Sequence, residues 1–344
     1  MDQKVLKLIR KKQYAQRSEE WYKVRKNLIT ASSAASCLIR DIKTCESYVK
    51  EYNLEEIFDY NNKCCNPYST KKQYFLDKSG YGSQFKGNIA TFWGQKYESV
   101  VTDLYSNKFN KDVLEFGLII HDNPEYSWLG ASPDGITPDG VMIEIKCPFR
   151  RKITGVPPMY YWIQVQLQLE VCDLEYCDFV EYSFVEFLSK EEFLDDTVLD
   201  DFIPLNKGAI IQIDNEKIPG IPGDPSESQY IYPPREFLDK DKDIVKWVET
   251  QLDQLPGILI KQSKFFKIKP IYWKVSEKSV VRIKRDREWF TSIVGDLSDS
   301  HEKLVYYKTG DNYKELLVPK KTKKEFIKGK SVCFDSEDED GCIF

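Results

Sequence analysis

The chain has 344 residues, of which 41% are hydrophobic and 31% charged, enough to bury a core in one large domain or two ordinary ones. No apolar run reaches the roughly 18 residues that a membrane span requires, and the opening Met1-Asp2-Gln3-Lys4 starts with charge rather than a secretory leader. The expectation is an intracellular protein without a membrane partner, its nine cysteines kept reduced. With only two histidines, His121 and His301, catalysis falls to carboxylates and lysine.

In chain order, residues 4–26 read mostly as helix, residues 32–50 as a second helix begun by serine caps, and 91–108 as a third. Glycine, proline and asparagine make 60–72, 79–87 and 218–234 loop-like. Short apolar runs bounded by turn residues predict strands at 113–120, 141–146 and 177–187, so the pattern is α/β. Residues 161–171 alternate apolar with polar, which alone predicts a strand. Pro157-Pro158 just upstream can start a helix, however, and parallel flanking strands need a crossover, so a helix is the reading adopted. The net charge of −5 conceals polarity: residues 261–290 hold ten Lys/Arg against three acids, and 186–201 hold seven acids against one lysine. The basic run is interleaved with Phe265, Phe266, Tyr272, Trp273, Trp289 and Phe290. That mixture suits a nucleic-acid backbone, and equally a solvated surface over a core strand and helix. Asp335 to Asp340 reads as a disordered acidic tail.

The segment richest in chemistry is Gly130-Ala131-Ser132-Pro133-Asp134-Gly135, followed by Glu144-Ile145-Lys146. An acid on a turn and a strand carrying Glu-x-Lys on one face bring two carboxylates and an ammonium together. Oxygen donors of this kind suit Mg²⁺ or Mn²⁺, and the chemistry they favour is phosphoryl hydrolysis, with Lys146 holding water or steadying negative charge. The competing reading is an ordinary hairpin with an Asp-Gly turn and a surface Glu/Lys pair.

Taken in order, Trp21-Tyr22-Lys23-Val24-Arg25, Ile29-Thr30-Ala31-Ser32, Trp93-Gly94-Gln95-Lys96-Tyr97-Glu98, the Gly130–Gly135 segment, Glu144-Ile145-Lys146-Cys147-Pro148 and Tyr160 to Gln166 resemble the lambda-exonuclease/YqaJ branch of the PD-(D/E)XK nuclease superfamily, which includes viral alkaline exonucleases. The resemblance implies a restriction-endonuclease-like α/β core, a central mixed β-sheet flanked by helices. It implies metal-binding carboxylates at Asp134 and Glu144, a main-chain ligand at Ile145, a catalytic lysine at Lys146 and an additional acid at Glu98. It also implies a positioning glutamine at Gln164, with Gln166 and Gln168 as rivals, and a 5′-phosphate pocket of Arg25, Ser32 and Ser132. The implied cofactors are Mg²⁺ or Mn²⁺, two ions. The implied partners are double-stranded DNA ends and a single-strand annealing protein, with a homo-oligomeric assembly and a virus-infected host cell as setting.

The implied organisation is one nuclease domain over residues 1–307, with its motifs at 17–185, an insertion at 186–262 and closing strands and helix at 269–307. A C-terminal extension at 308–344 follows. The implied activity is a 5′-to-3′ exonuclease that leaves 3′ single strands for recombination, repair or replication. An endonuclease with the same site and a DNA-binding recombination factor with a vestigial site are the alternatives.

Overall fold

The computed structural model describes residues 1–61, 64–82, 87–196, 199–200, 203–204, 206–218, 220–259 and 265–318; the acidic tail lies outside them. The helices are α1 (Gln3–Arg10), α2 (Glu19–Arg25), α3 (Ile42–Glu51), α4 (Lys71–Ser79), α5 (Ile89–Phe109), α6 (Met159–Cys172), α7 (Lys190–Asp195), α8 (Asp241–Leu259), α9 (Arg287–Tyr307) and α10 (Lys314–Leu317). The strands are β1 (Ile29–Thr30), β2 (Ile119–Ile120), β3 (Leu129–Ala131), β4 (Gly135–Ile136), β5 (Val141–Lys146), β6 (Tyr176–Glu186), β7 (Leu199–Asp200), β8 (Ile203–Pro204), β9 (Lys207–Ile218), β10 (Ile221–Pro222), β11 (Gln229–Ile231) and β12 (Phe265–Lys284).

A central mixed sheet has the order β10-β9-β12-β6-β5-β4, with β11 added on β9, and β5 and β6 run parallel. The crossover between them is α6, as parallel pairing demands. β12 is twenty residues long: its first half pairs with β9 and its second with β6. One continuous strand therefore ties the strands drawn from 186–262 to the motif-bearing core, where two separate closing strands had been expected. A small sheet, β1-β3-β2, lies beside the main one.

Two expected helices are each broken. The first is α1 and α2, capped separately by Asp2 and Ser18. The second is a 3₁₀ turn, Ala31–Ser36, followed by α3, whose cap is Asp41 rather than a serine. The strand expected at 113–120 is regular only over β2, with isolated bridges at Leu114 and Leu118. α6 is buried on every side, which explains its misleading period of two: a helix without a solvent face has no need of a 3.6-residue polar pattern. Its packing against α9 and the 3₁₀ turn forms one core around Trp162 and Trp289; α5 covers the other face of the sheet, around Tyr97, Ile143 and Val180.

Candidate active site

The first cluster lies at the end of β5. Strand alternation puts Glu144 and Lys146 on the α6 face and Ile143 and Ile145 on the other. β4 pairs antiparallel with β5, so Asp134, the residue before β4, lies beside Ile145, whose backbone N–H donates to Asp134 Oδ2 at 2.7 Å. Gly135 lets the segment at Val113 and Leu114 pack close on the other side, since a Cβ there would stand 2.2 Å from Val113 Cγ1. Glu144 is 1% exposed, and α6 satisfies it: Gln164 Nε2 donates to Oε1 at 2.6 Å and Gln168 Nε2 to Oε2 at 2.7 Å. The Lys146 ammonium also bonds Glu144 Oε1 and lies 4.6 Å from the centre of the Tyr161 ring.

Glu98, from α5, stands at the open edge of this group. Burial of its carboxyl raises its pKa against the pull of Arg17 and Lys146. Burial first, then repulsion from Glu144 and Glu98, pushes Asp134 well above the ordinary carboxylate range. For Lys146, burial works against the charge but is outweighed by Glu144, Tyr161 and Asp134, so its pKa lies above the usual value and the ammonium stays charged at neutral pH. Three acids gathered around one ammonium, with Glu144 disfavouring ionisation of both Asp134 and Glu98, make a site that attracts further positive charge.

The second cluster lies along α2. Arg25 Nη2 donates to Ser32 Oγ at 3.2 Å and Thr30 Oγ1 at 3.5 Å, and its guanidinium sits 4.1 Å from the Trp21 ring. Ser132 joins through Trp21, whose Nε1 donates to Ser132 Oγ at 3.1 Å. Arg25 thus has hydroxyl and aromatic neighbours and, among the described residues, no carboxylate partner; burial lowers its pKa. Arg25, Ser32 and Ser132 are therefore gathered, with Trp21 as the joint and Thr30 as an addition that sequence reading missed. Asp134, Glu144, Glu98, Lys146 and Gln164 are gathered as well. Gln166 turns away, donating to Lys284 O and accepting from Asp286 N. Gln168 belongs with Gln164, and its position four residues on, along the same helix face, was the available signal. Cys147 is a buried thiol whose pKa burial raises strongly.

An Asp, a Glu-x-Lys strand and a crossover helix that supports the Glu thus stand together on a mixed sheet. Comparison with known families adds a match: residues 20–175 match the family model of the YqaJ-like viral recombinase domain. The chain is also 28% identical to the uncharacterized protein R354 of Acanthamoeba polyphaga mimivirus, over 89% of this chain and 55% of the relative; it spans about half the length of that curated relative. Among solved structures it is similar to an alkaline exonuclease, LHK-Exo, from Laribacter hongkongensis, with 20% identity, 85% of this chain and 96% of that one covered, and a TM-score of 0.41. A phage-related exonuclease from Haemophilus somnus 129PT gives 14% identity, 81% and 96% coverage and a TM-score of 0.39.

Proposed function

We propose that the protein is a metal-dependent deoxyribonuclease that digests duplex DNA from its ends, 5′ to 3′. The observation that carries this is the convergence of Asp134, Glu144, Glu98 and Lys146 at the end of β5, beside a guanidinium that has hydroxyl partners and, among the described residues, no acid. Among the described residues no three acidic, histidine or cysteine side chains are drawn tightly enough to ligate one ion. The donors fit a hard divalent cation by chemistry: they are carboxylates plus the Ile145 carbonyl, and Glu144 raises the pKa of both Asp134 and Glu98. Asp134, Glu144, Glu98 and Ile145 O would hold Mg²⁺ or Mn²⁺, in two sites. Bound there, the ions supply charge neutralisation on the scissile phosphate and a more acidic water.

The remaining work belongs to the chain. Lys146, charged throughout the neutral range, donates hydrogen bonds to the attacking water or the phosphate oxygens and is no general base. Gln164 and Gln168 hold the buried Glu144 in one orientation. Arg25, Ser32 and Ser132 receive the terminal 5′-phosphate, where a planar guanidinium gives bidentate recognition, and so set the next bond in register. The same reading keeps residues 1–307 as one catalytic domain with 186–262 inserted, which the shared strand β12 supports. It takes double-stranded DNA ends as substrate, with a single-strand annealing protein and a homo-oligomer as assembly partners. The viral source of the R354 relative supports action in a virus-infected cell.

The test is a time course on end-labelled linear duplex carrying a 5′-phosphate or a 5′-hydroxyl, and on covalently closed circles, with and without divalent metal. Asp134→Ala, Glu144→Ala and Lys146→Ala are each expected to remove nearly all hydrolysis while the protein stays folded. Arg25→Ala is expected to slow phosphorylated ends about ten- to a hundred-fold, the value of a missing charge-assisted hydrogen bond, and hydroxyl ends little. Efficient cutting of closed circles would replace the exonuclease by an endonuclease, and an Arg25→Ala effect equal on both ends would remove the assigned polarity.

A further inference from the structure

The segment between α1 and α2 is a strap held at many points. Gln13 Nε2 donates to Leu8 O and its Oε1 accepts from Gly117 N at 2.8 Å. Tyr14 exchanges backbone hydrogen bonds with Leu118. Gly117 is required for this approach, because a Cβ there would stand 2.2 Å from Tyr14 O. Gln16 Nε2 donates to both Phe116 O and Pro133 O at 3.2 Å, which pins the strap to the residue before Asp134. Ser18 then caps α2. Between these two anchors the chain makes a tight turn, Ser18 N–H to Ala15 O, with Arg17 in its third position at φ +65°.

Glycine or asparagine normally fills such a position, because a larger side chain in the left-handed region is strained. Here it carries an arginine, whose Nη2 lies 3.8 Å from Glu98 Oε2 with 57% of the side chain exposed. Arg17 lines a cleft of about 680 Å³ together with Gln95, Glu98, Glu115 and Asp134, and among the described residues lining it is the one cation. Arg17, Trp21 and Arg25 are spaced four apart, and the Ser132–Asp134 loop runs alongside them through the Gln16–Pro133 and Trp21–Ser132 bonds. One edge of the molecule therefore presents a guanidinium at the carboxylate cleft and a second at the hydroxyl-lined pocket.

We infer that Arg17 is a phosphate-positioning residue for the proposed reaction: it grips the backbone phosphate lying over the Asp134–Glu98 cleft, and Glu98 orients the guanidinium before substrate arrives. This rests on the nuclease reading above and adds to it a second phosphate contact, independent of the terminal one.

The variants Arg17→Gly and Arg17→Lys test it beside Arg25→Ala. Arg17→Gly, relieved of strain, should melt at or above the wild-type temperature yet cleave linear duplex with kcat/KM lowered about ten- to a hundred-fold, equally on 5′-phosphate and 5′-hydroxyl ends; Arg17→Lys should recover part of the loss. Without divalent metal, duplex binding followed by fluorescence anisotropy should lose roughly 0.9 from the slope of log affinity against log salt. Wild-type kcat/KM and slope in Arg17→Gly would overturn the inference. So would a defect confined to phosphorylated ends, or one matched by a fall in melting temperature. If the wild type cleaves no duplex, the nuclease reading fails, and the metal-free slope still decides whether Arg17 contacts a phosphate.

Discussion

Gln164, Gln166 and Gln168 share one composition and one helix, yet they differ in what they touch. Gln164 and Gln168 each cover one oxygen of Glu144, whereas Gln166 fastens the end of β12 and the start of α9 through Lys284 O and Asp286 N. Gln168→Leu leaves a buried carboxylate short of a donor, a loss of about 1–3 kcal/mol, and frees Glu144 to turn. The expected result is lower stability in a denaturant titration together with lower turnover. Gln166→Leu should lose stability to a similar degree while the turnover of the folded fraction stays near wild type. Equal turnover in the two variants would mean that the glutamine pair does not hold Glu144 for catalysis. At this scale Asp134, Glu144 and Lys146 were legible because strand alternation and a turn residue bring them together. Gln168 was not, because a fully buried helix hides its own period.

Among the elements, α2 is unusual in that none of its seven residues is buried, and a helix so short is marginal on its own. Its ends hold it. Ser18 accepts from Trp21 N at the start, and Glu19 and Glu20 suit the positive end of the dipole. At the other end Lys78, from α4, donates to Arg25 O at 2.8 Å and Leu28 O at 3.1 Å, and Lys308 donates to Lys26 O. Burial, then the nearby Arg25 and Lys308, push Lys78 down to about 7, against a smaller upward pull from Cys37.

An unfolded lysine stays protonated to about pH 10.4. Above pH 7 the unfolded chain therefore binds more protons at this residue than the folded one, and stability rises with pH by up to about 1.4 kcal/mol per unit. Below pH 7 the cost of burying the charge is fully present. Lys78→Met should remove that rise: between pH 7 and 9 the difference in unfolding free energy between wild type and variant should grow in favour of wild type, read from urea titrations at each pH. A constant difference would mean that Lys78 stays charged in the fold. The strap and the 3₁₀ turn that frame α2 were illegible in sequence, since Arg17 occupies a position where glycine would have announced a turn, and Ser32 and Ser33 look like caps while sitting inside a helical turn.

Over the whole molecule, the charge polarity visible in the sequence resolves in part into ion pairs, with Lys267, Lys269, Lys278 and Lys284 left exposed. Arg282 pairs with Asp178, Lys274 with Asp196, and Arg285 with Glu170 and Asp173, while Lys267 sits opposite Asp214 in the strand register. Tyr272, Trp273, Trp289 and Phe290 are core. The aromatic-basic texture of 261–290 is thus mostly sheet and helix packing, and residues 261–264 lie outside the described chain. Sequence composition could not separate these readings, because the acids that pair with the run come from β6, from α6 and the residue after it, and from the residue after α7, distant in the chain.

Exposed cations nearer the catalytic strand are Arg150 and Lys152, on the loop that leaves β5. That loop is fastened by Arg151 to the buried Glu181 and by Ile153 N–H to Glu277 Oε2. A charge whose partner is already a protein acid releases few counterions when DNA arrives, whereas a solvated one beside the site releases its full share. The double variant Arg150→Gln with Lys152→Gln should therefore lower the slope of log affinity against log salt by roughly 0.9 for each phosphate it no longer neutralises. Lys274→Gln with Arg282→Gln, whose partners are Asp196 and Asp178, changes the net charge by the same amount and should leave the slope near wild type. Because the two double variants share one net charge, equal reductions in slope would mean that the overall field, and not the loop after β5, sets the electrostatics of DNA binding.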